Sequence, residues 1–189
     1  MTNTKHLIAA AALLALGASA SAANLVSNGS FETGDFSGWS FAGNTGNTGV
    51  EGNFGGVNPT DGNFQGVFGA VGSDTVMTQQ LTVNSTGLYT VSFDLDDLFG
   101  GAQDFSASFG GSTLVSYSSQ PFGSYTHLSY TVEGGNGLLE FTARQDPSFW
   151  LLDNVSVTAT AVPETSTPAM LLAGLALVGV VARRRRAAR

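Results

Sequence analysis

The sequence predicts an all-β fold, an antiparallel β-sandwich, and three observations carry that expectation. Between the two ends of the 189-residue chain, no segment longer than a turn or two shows the 3.6-residue apolar repeat of a helix. Short segments instead alternate apolar and polar residues, the two-residue repeat of a strand with one buried face. Clusters of glycine, asparagine, serine and proline separate those segments at short and regular intervals, as the turns of a sandwich do.

Each element can be justified in order. Residues 75–83 form a strand ended by the turn Asn84-Ser85-Thr86-Gly87. Residues 88–95 alternate most clearly: Tyr89, Val91, Phe93 and Leu95 face one side, and Thr90, Ser92 and Asp94 the other. Strands at 105–109, 113–117, 125–133, 138–144 and 150–158 follow, separated by Gly110-Gly111, residues 121–124, residues 134–137 and Asp146-Pro147. Residues 43–62 are rich in glycine and asparagine and poor in apolar residues, and are expected to be a long loop or a pair of weak edge strands.

Composition excludes several functions. There is no cysteine, so disulfides, thiol catalysis and thiolate metal sites are ruled out. Between Lys5 and Arg183 the only basic side chain is Arg144, whereas thirteen of the fourteen acids lie in residues 23–161. Such a domain repels phosphate backbones and lacks the basic stripe of a nucleic-acid binder, but it is compatible with divalent cations and neutral sugars. The same acidity also suits a protein that simply has to stay soluble outside the cell.

The ends read as address labels flanking one domain, giving residues 1–22, 23–161 and 162–189 as the expected division. Lys5, the apolar run 7–16 and the small residues Ala18, Ala20 and Ala22 make a secretory signal helix, with cleavage after Ala22 or, as second choice, after Ala20. At the other end Val162, Pro163 and Glu164 precede a polar spacer, an apolar stretch at 169–182 and the cluster Arg183, Arg184, Arg185 and Arg186. Fourteen apolar residues fall short of the roughly twenty that a relaxed spanning helix requires, so this short transmembrane helix is marginal as a permanent anchor. The arginines act as a membrane stop that stays cytoplasmic and leaves the domain outside.

This order of Pro-Glu pair, apolar helix and arginine cluster resembles the PEP-CTERM sorting signal, over about the last 27 residues. The third residue of the usual Pro-Glu-Pro is Thr165 here. The resemblance implies recognition by a membrane-embedded exosortase, cleavage near Pro163 and Glu164, and release or transfer to the surface or exopolysaccharide matrix of a Gram-negative bacterium. The membrane would then be engaged only transiently, and the mature protein would keep no transmembrane helix.

A second resemblance lies within the domain. Residues 24–39, from Asn24-Leu25-Val26 to Gly38-Trp39, are similar to the opening strand of galactose-binding-like jelly rolls, a fold of several carbohydrate-binding module families; Leu151-Leu152-Asp153-Asn154-Val155-Ser156-Val157 is similar to their last strand. The resemblance implies that these two strands lie side by side, and that a structural calcium sits near them. The matching acids are Glu32 and Asp153, with Asn28 or Gly29 and Asn154 as neighbours; oxygen-only ligands of this kind suit calcium.

No catalytic residue is assigned. His127 is the one histidine outside the leader, no Gly-x-Ser-x-Gly motif accompanies it, and no zinc-like spacing of His and carboxylate occurs. Asp94 and Asp96 share a strand face and are the candidates for a glycosidase pair or cation ligands, against the simpler role of keeping one sheet face wet and discouraging edge pairing. Aromatic rings are where sugars would stack. Trp150, Tyr117, Phe99 and Phe122 are candidates for a ligand platform, with Phe54 as a further loop aromatic; Trp39 is expected in the core. The functional expectation is an exported, exosortase-processed, non-enzymatic matrix protein whose ligand is an extracellular polysaccharide. The alternatives are a purely structural surface protein and a glycan hydrolase using acid pairs.

Overall fold

The computed structural model describes residues 22–98, 102–118, 123–160, 174 and 183–185. Ten strands run in order: β1 (Ser40–Gly43), β2 (Thr48–Glu51), β3 (Gln65–Phe68), β4 (Thr75–Gln80), β5 (Leu88–Leu98), β6 (Ala102–Phe109), β7 (Ser112–Ser118), β8 (Thr126–Glu133), β9 (Leu138–Asp146) and β10 (Phe149–Ala159). They form two five-stranded sheets, ordered β1-β4-β9-β6-β7 and β2-β3-β10-β5-β8, and every pairing is antiparallel. The long strands β5 and β10 sit inside the second sheet. The fold is an antiparallel β-sandwich.

The inner faces obey the alternation of the sequence. Tyr89, Val91, Phe93 and Leu95 of β5 meet Phe105, Ala107 and Phe109 of β6 and Leu139, Phe141 and Ala143 of β9 in one apolar core. Aromatic edges knit the two layers, with ring centroids 5.2 Å apart for both Phe93–Phe141 and Phe105–Trp150. Each ring buried in this way contributes roughly 1.5–3 kcal/mol relative to exposure.

The opening segment lies beside β10 as the resemblance implied, but it is not a regular strand. Leu25 N–H donates to the Val157 carbonyl, Val155 N–H to Gly29, and the Asn24 amide brackets β10 between Val155 and Val157. Gly29 permits this approach, because a Cβ there would stand 2.1 Å from the Val155 carbonyl oxygen. Trp39 is buried and donates its indole N–H to the Asn28 carbonyl.

The region expected as loop or weak edges, residues 43–62, contains β2, the last residue of β1 and a strap, with β3 following just beyond it. β1 and β2 are edge strands, and β3 pairs with β10 inside the second sheet. Residues 52–64 then cross the outer face of that sheet. The sorting residues Val162, Pro163 and Glu164, the leader, Arg186 and most of the apolar stretch lie outside the described residues; Arg183, Arg184 and Arg185 are helical and exposed. Among the described residues no helix is long and apolar enough to cross a membrane.

Candidate binding site

The outer face of the second sheet holds the chemistry that the sequence singled out. Alternation aims Asp94 and Asp96 of β5 outward, yet they are only 7% and 3% exposed. That corrects the expectation of a wet face guarding an edge: β5 is flanked by β10 and β8, and the strap covers its outer side. Beneath the strap, Val67, Leu98 and Leu151 form a second small apolar cluster against Phe54, Val57, Tyr125 and Phe149.

Carboxylates hold the strap down. Asp153, fully buried and paired in register with Asp94, accepts the backbone N–H of Thr60 at 2.7 Å and of Asp61 at 2.9 Å on one oxygen, and that of Asn154 at 2.7 Å on the other. Thr60 Oγ1 lies 2.7 Å from Asp94 Oδ2 and 3.1 Å from Asp153 Oδ2, and its single proton serves only one at a time. Asn154, in the left-handed region at a bulge of β10, donates its side-chain amide to Asp94. His127, opposite Asp94 on β8, places Nδ1 2.6 Å from Asp94 Oδ1. Gln65 donates to the carbonyls of Gly52 and Val57 and accepts the Tyr125 hydroxyl.

Glu32 anchors the far end of the same segment, accepting the N–H groups of Asn63 and Phe64 at 2.7 and 2.8 Å. These two donors hold its carboxyl below the usual range. Burial pushes Asp153 and Asp96 the other way, above the usual range, against the N–H groups they accept.

This arrangement does not fit the calcium that the resemblance implied. Glu32 and Asp153 share no partner, their oxygens face N–H donors, and the neighbouring carbonyls of Asn28 and Gly29 accept Trp39 Nε1 and Val155 N–H. Calcium takes six to eight oxygen ligands, and these two carboxylates do not converge on one point. Among the described residues no group of three or more His, Asp or Glu side chains is placed to hold a metal ion.

The platform residues divide differently from expectation. Trp150 is fully buried, its indole N–H directed to the Arg144 carbonyl and its ring against Phe105, so it belongs to the core. Tyr117 is paired opposite Phe105 and packs inward against the core. Phe99 and Phe122 lie outside the described residues. Phe54 does meet open space: a cleft of about 290 Å³ is lined by Asn47, Thr48, Gly49, Glu51, Phe54, Val67 and Phe149. Phe54 and Phe149 form its apolar wall edge to face, with centroids 4.8 Å apart. Gly49 leaves the floor open, and the Glu51 carboxylate leans over it, 3.8 Å from where a Cβ would sit. Sequence reasoning missed Phe149 and Glu51, because only the β2-β3-β10 pairing brings them together.

Residues 161–186 match the family described as PEP-CTERM protein-sorting motif. No curated protein matches the chain. Among solved structures, the sandwich is similar to TmCBM61, determined in complex with β-1,4-galactotriose, at 19% identity and a TM-score of 0.58, covering 73% of this chain and 99% of that one. It is similar to the K1 cleaved adhesin domain of Lys-gingipain from Porphyromonas gingivalis W83, at 14% identity and a TM-score of 0.55, covering 70% and 96%. It is also similar to the CBM22-1 xylan-binding domain of Paenibacillus barcinonensis Xyn10C, at 19% identity and a TM-score of 0.50, covering 77% and 99%. The chain therefore joins a PEP-CTERM protein-sorting motif to a jelly-roll β-sandwich of the kind that carbohydrate-binding modules adopt.

Proposed function

We propose that this is an exported, exosortase-processed protein whose residues 23–161 form a non-catalytic module that holds an extracellular polysaccharide in the cleft beside Phe54 and Phe149. The observation that carries the reading is that cleft: an aromatic wall next to a carboxylate and an amide, on a sandwich shared with carbohydrate-binding modules. Pyranose rings present apolar faces to aromatic rings while their hydroxyls bond polar groups at the rim. The non-catalytic reading is supported by the acids. Asp94 and Asp96 are buried under the strap, and Asp94 is engaged by Thr60, Asn154 and His127, which leaves that pair no access to a glycosidic bond.

The sorting motif supports a route through the inner membrane, a transiently anchored precursor, cleavage near Val162-Pro163-Glu164, and deposition at the surface or in the matrix of a Gram-negative cell. Affinity electrophoresis of the processed protein through gels containing polysaccharides tests the binding reading. Gly49→Leu, at an edge-strand position with ordinary backbone angles and room for a Cβ, fills the cleft without disturbing the core. Retardation of the parent protein that disappears in Gly49→Leu, at unchanged melting temperature, is expected. Equal retardation of both places the ligand elsewhere.

A further inference from the structure

The chemistry of the cleft restricts which polysaccharide can enter, an inference that rests on the binding reading above. Its polar side is rich in acceptors and poor in donors. Glu51 contributes two carboxylate oxygens, and a carboxylate only accepts. One of the two N–H groups of the Asn47 side-chain amide is directed at the Gly69 carbonyl, which leaves a single amide donor. Thr48 Oγ1 lies within 3.4 Å of both the Gly46 carbonyl and Thr75 Oγ1.

No cation is at hand to reverse that balance. Arg144, the only basic side chain between Lys5 and Arg183 apart from the histidines, lies in β9 of the opposite sheet, where Asp74 and Asp104 hold it. His127 lies on β8, at the far edge from β2, and is paired with Asp94. The remaining charges of the sandwich are acids, so the field at the cleft is negative.

We infer that the cleft takes a neutral polysaccharide, whose vicinal hydroxyls donate to Glu51, and rejects polymers built from uronic acids. A sugar hydroxyl supplies the proton that Glu51 requires. A uronate keeps hydroxyls that can donate, but each ring also brings a carboxylate into the same negative field beside Glu51, and the like charges repel. A vicinal diol can also meet both carboxylate oxygens at once, which fixes the orientation of the ring over Phe149.

The test compares the processed protein with Glu51→Gln by affinity electrophoresis and calorimetry. The probes are β-1,4-galactan, xylan and a neutral glucan on one side, and alginate and polygalacturonate on the other. A chelator is present throughout, so that no divalent ion bridges two carboxylates. At least one neutral polymer is expected to bind, with uronates at least about fivefold weaker at low salt and the gap narrowing at high salt. Glu51→Gln, exposed on an edge strand, is expected to keep its fold by circular dichroism, lose about five- to tenfold in affinity for the neutral polymer, and narrow the discrimination. A uronate that binds as well as the neutral polymers, or a Glu51→Gln variant with undiminished affinity, overturns the inference while leaving the binding reading intact. If no polymer binds, the binding reading itself falls, and this inference with it.

Discussion

At the scale of single residues, Asp153 shows how hydrogen bonds make a buried acid tolerable. Four hydrogen-bond contacts converge on it, three from backbone N–H groups and one from the Thr60 hydroxyl. Asp153→Ala strands those N–H groups and is expected to cost about 3 kcal/mol, whereas Asp153→Asn keeps an acceptor, eases the crowding with Asp94 and costs about 1 kcal/mol. Urea unfolding of the two variants checks the order, and an Asn variant as damaged as the Ala variant refutes it. A related case lies between the sheets, where the Gln145 side chain donates to buried Asp97; Gln145→Leu removes that donor and is expected to lower stability by roughly 1.5–3 kcal/mol in the same assay. The outward direction of Asp94 and Asp96 was legible in the alternation around Phe93 and Leu95. Their burial was not, because it depends on a segment some thirty residues earlier folding over them, and no local pattern encodes that contact.

At the scale of elements, strands were legible in proportion to their length and to the contrast between their faces. β5, β8 and β9 carry clear alternation and lie close to where the sequence puts them. β1, β2 and β3 have four residues each and little apolar contrast, and they exist because longer neighbours offer them partners. The strap had no strand signal, although its glycines mark where it presses on the sheet. Gly55 sits at φ +59, and a Cβ there would meet Leu98 at 2.5 Å. Gly55→Val is therefore expected to lift the strap at a cost of about 2–4 kcal/mol. Faster hydrogen exchange at residues 52–64, with the β5–β6–β9 core still protected, is the signature to look for. In the candidate site the sequence named Phe54 among its loop aromatics. It could not join Phe54 to Phe149 and Glu51, because the cleft is made by strand pairing across nearly a hundred residues.

At the scale of the whole molecule, opposing groups of acids shape the response to pH. Burial raises Asp96 and Asp153 above their unfolded values, so their contribution is fully present below the ordinary carboxylate range and is lost as the pH rises through the raised values. Glu32, held low by the N–H groups of Asn63 and Phe64, and Asp35, held low by Ser37 and Thr33, contribute above the ordinary range and lose that contribution as the pH falls through their lowered values. The melting temperature is expected to pass through a maximum on the acid side of neutrality and to fall again once the pH drops below the ordinary carboxylate range. A maximum above neutrality would mean that the buried acids are stabilised in their charged form by something the hydrogen bonds do not supply.

The position of β10 has a mechanical consequence. This strand lies inside its sheet between β3 and β5, and its last residues lead directly toward the sorting segment. A tension transmitted through the tail would pull along the axis of β10. It would load the hydrogen bonds to β5, to β3 and to the opening segment in shear, many at once, instead of unzipping an edge strand one bond at a time. A domain held to a surface through this end resists drag with a strand bonded along both of its sides.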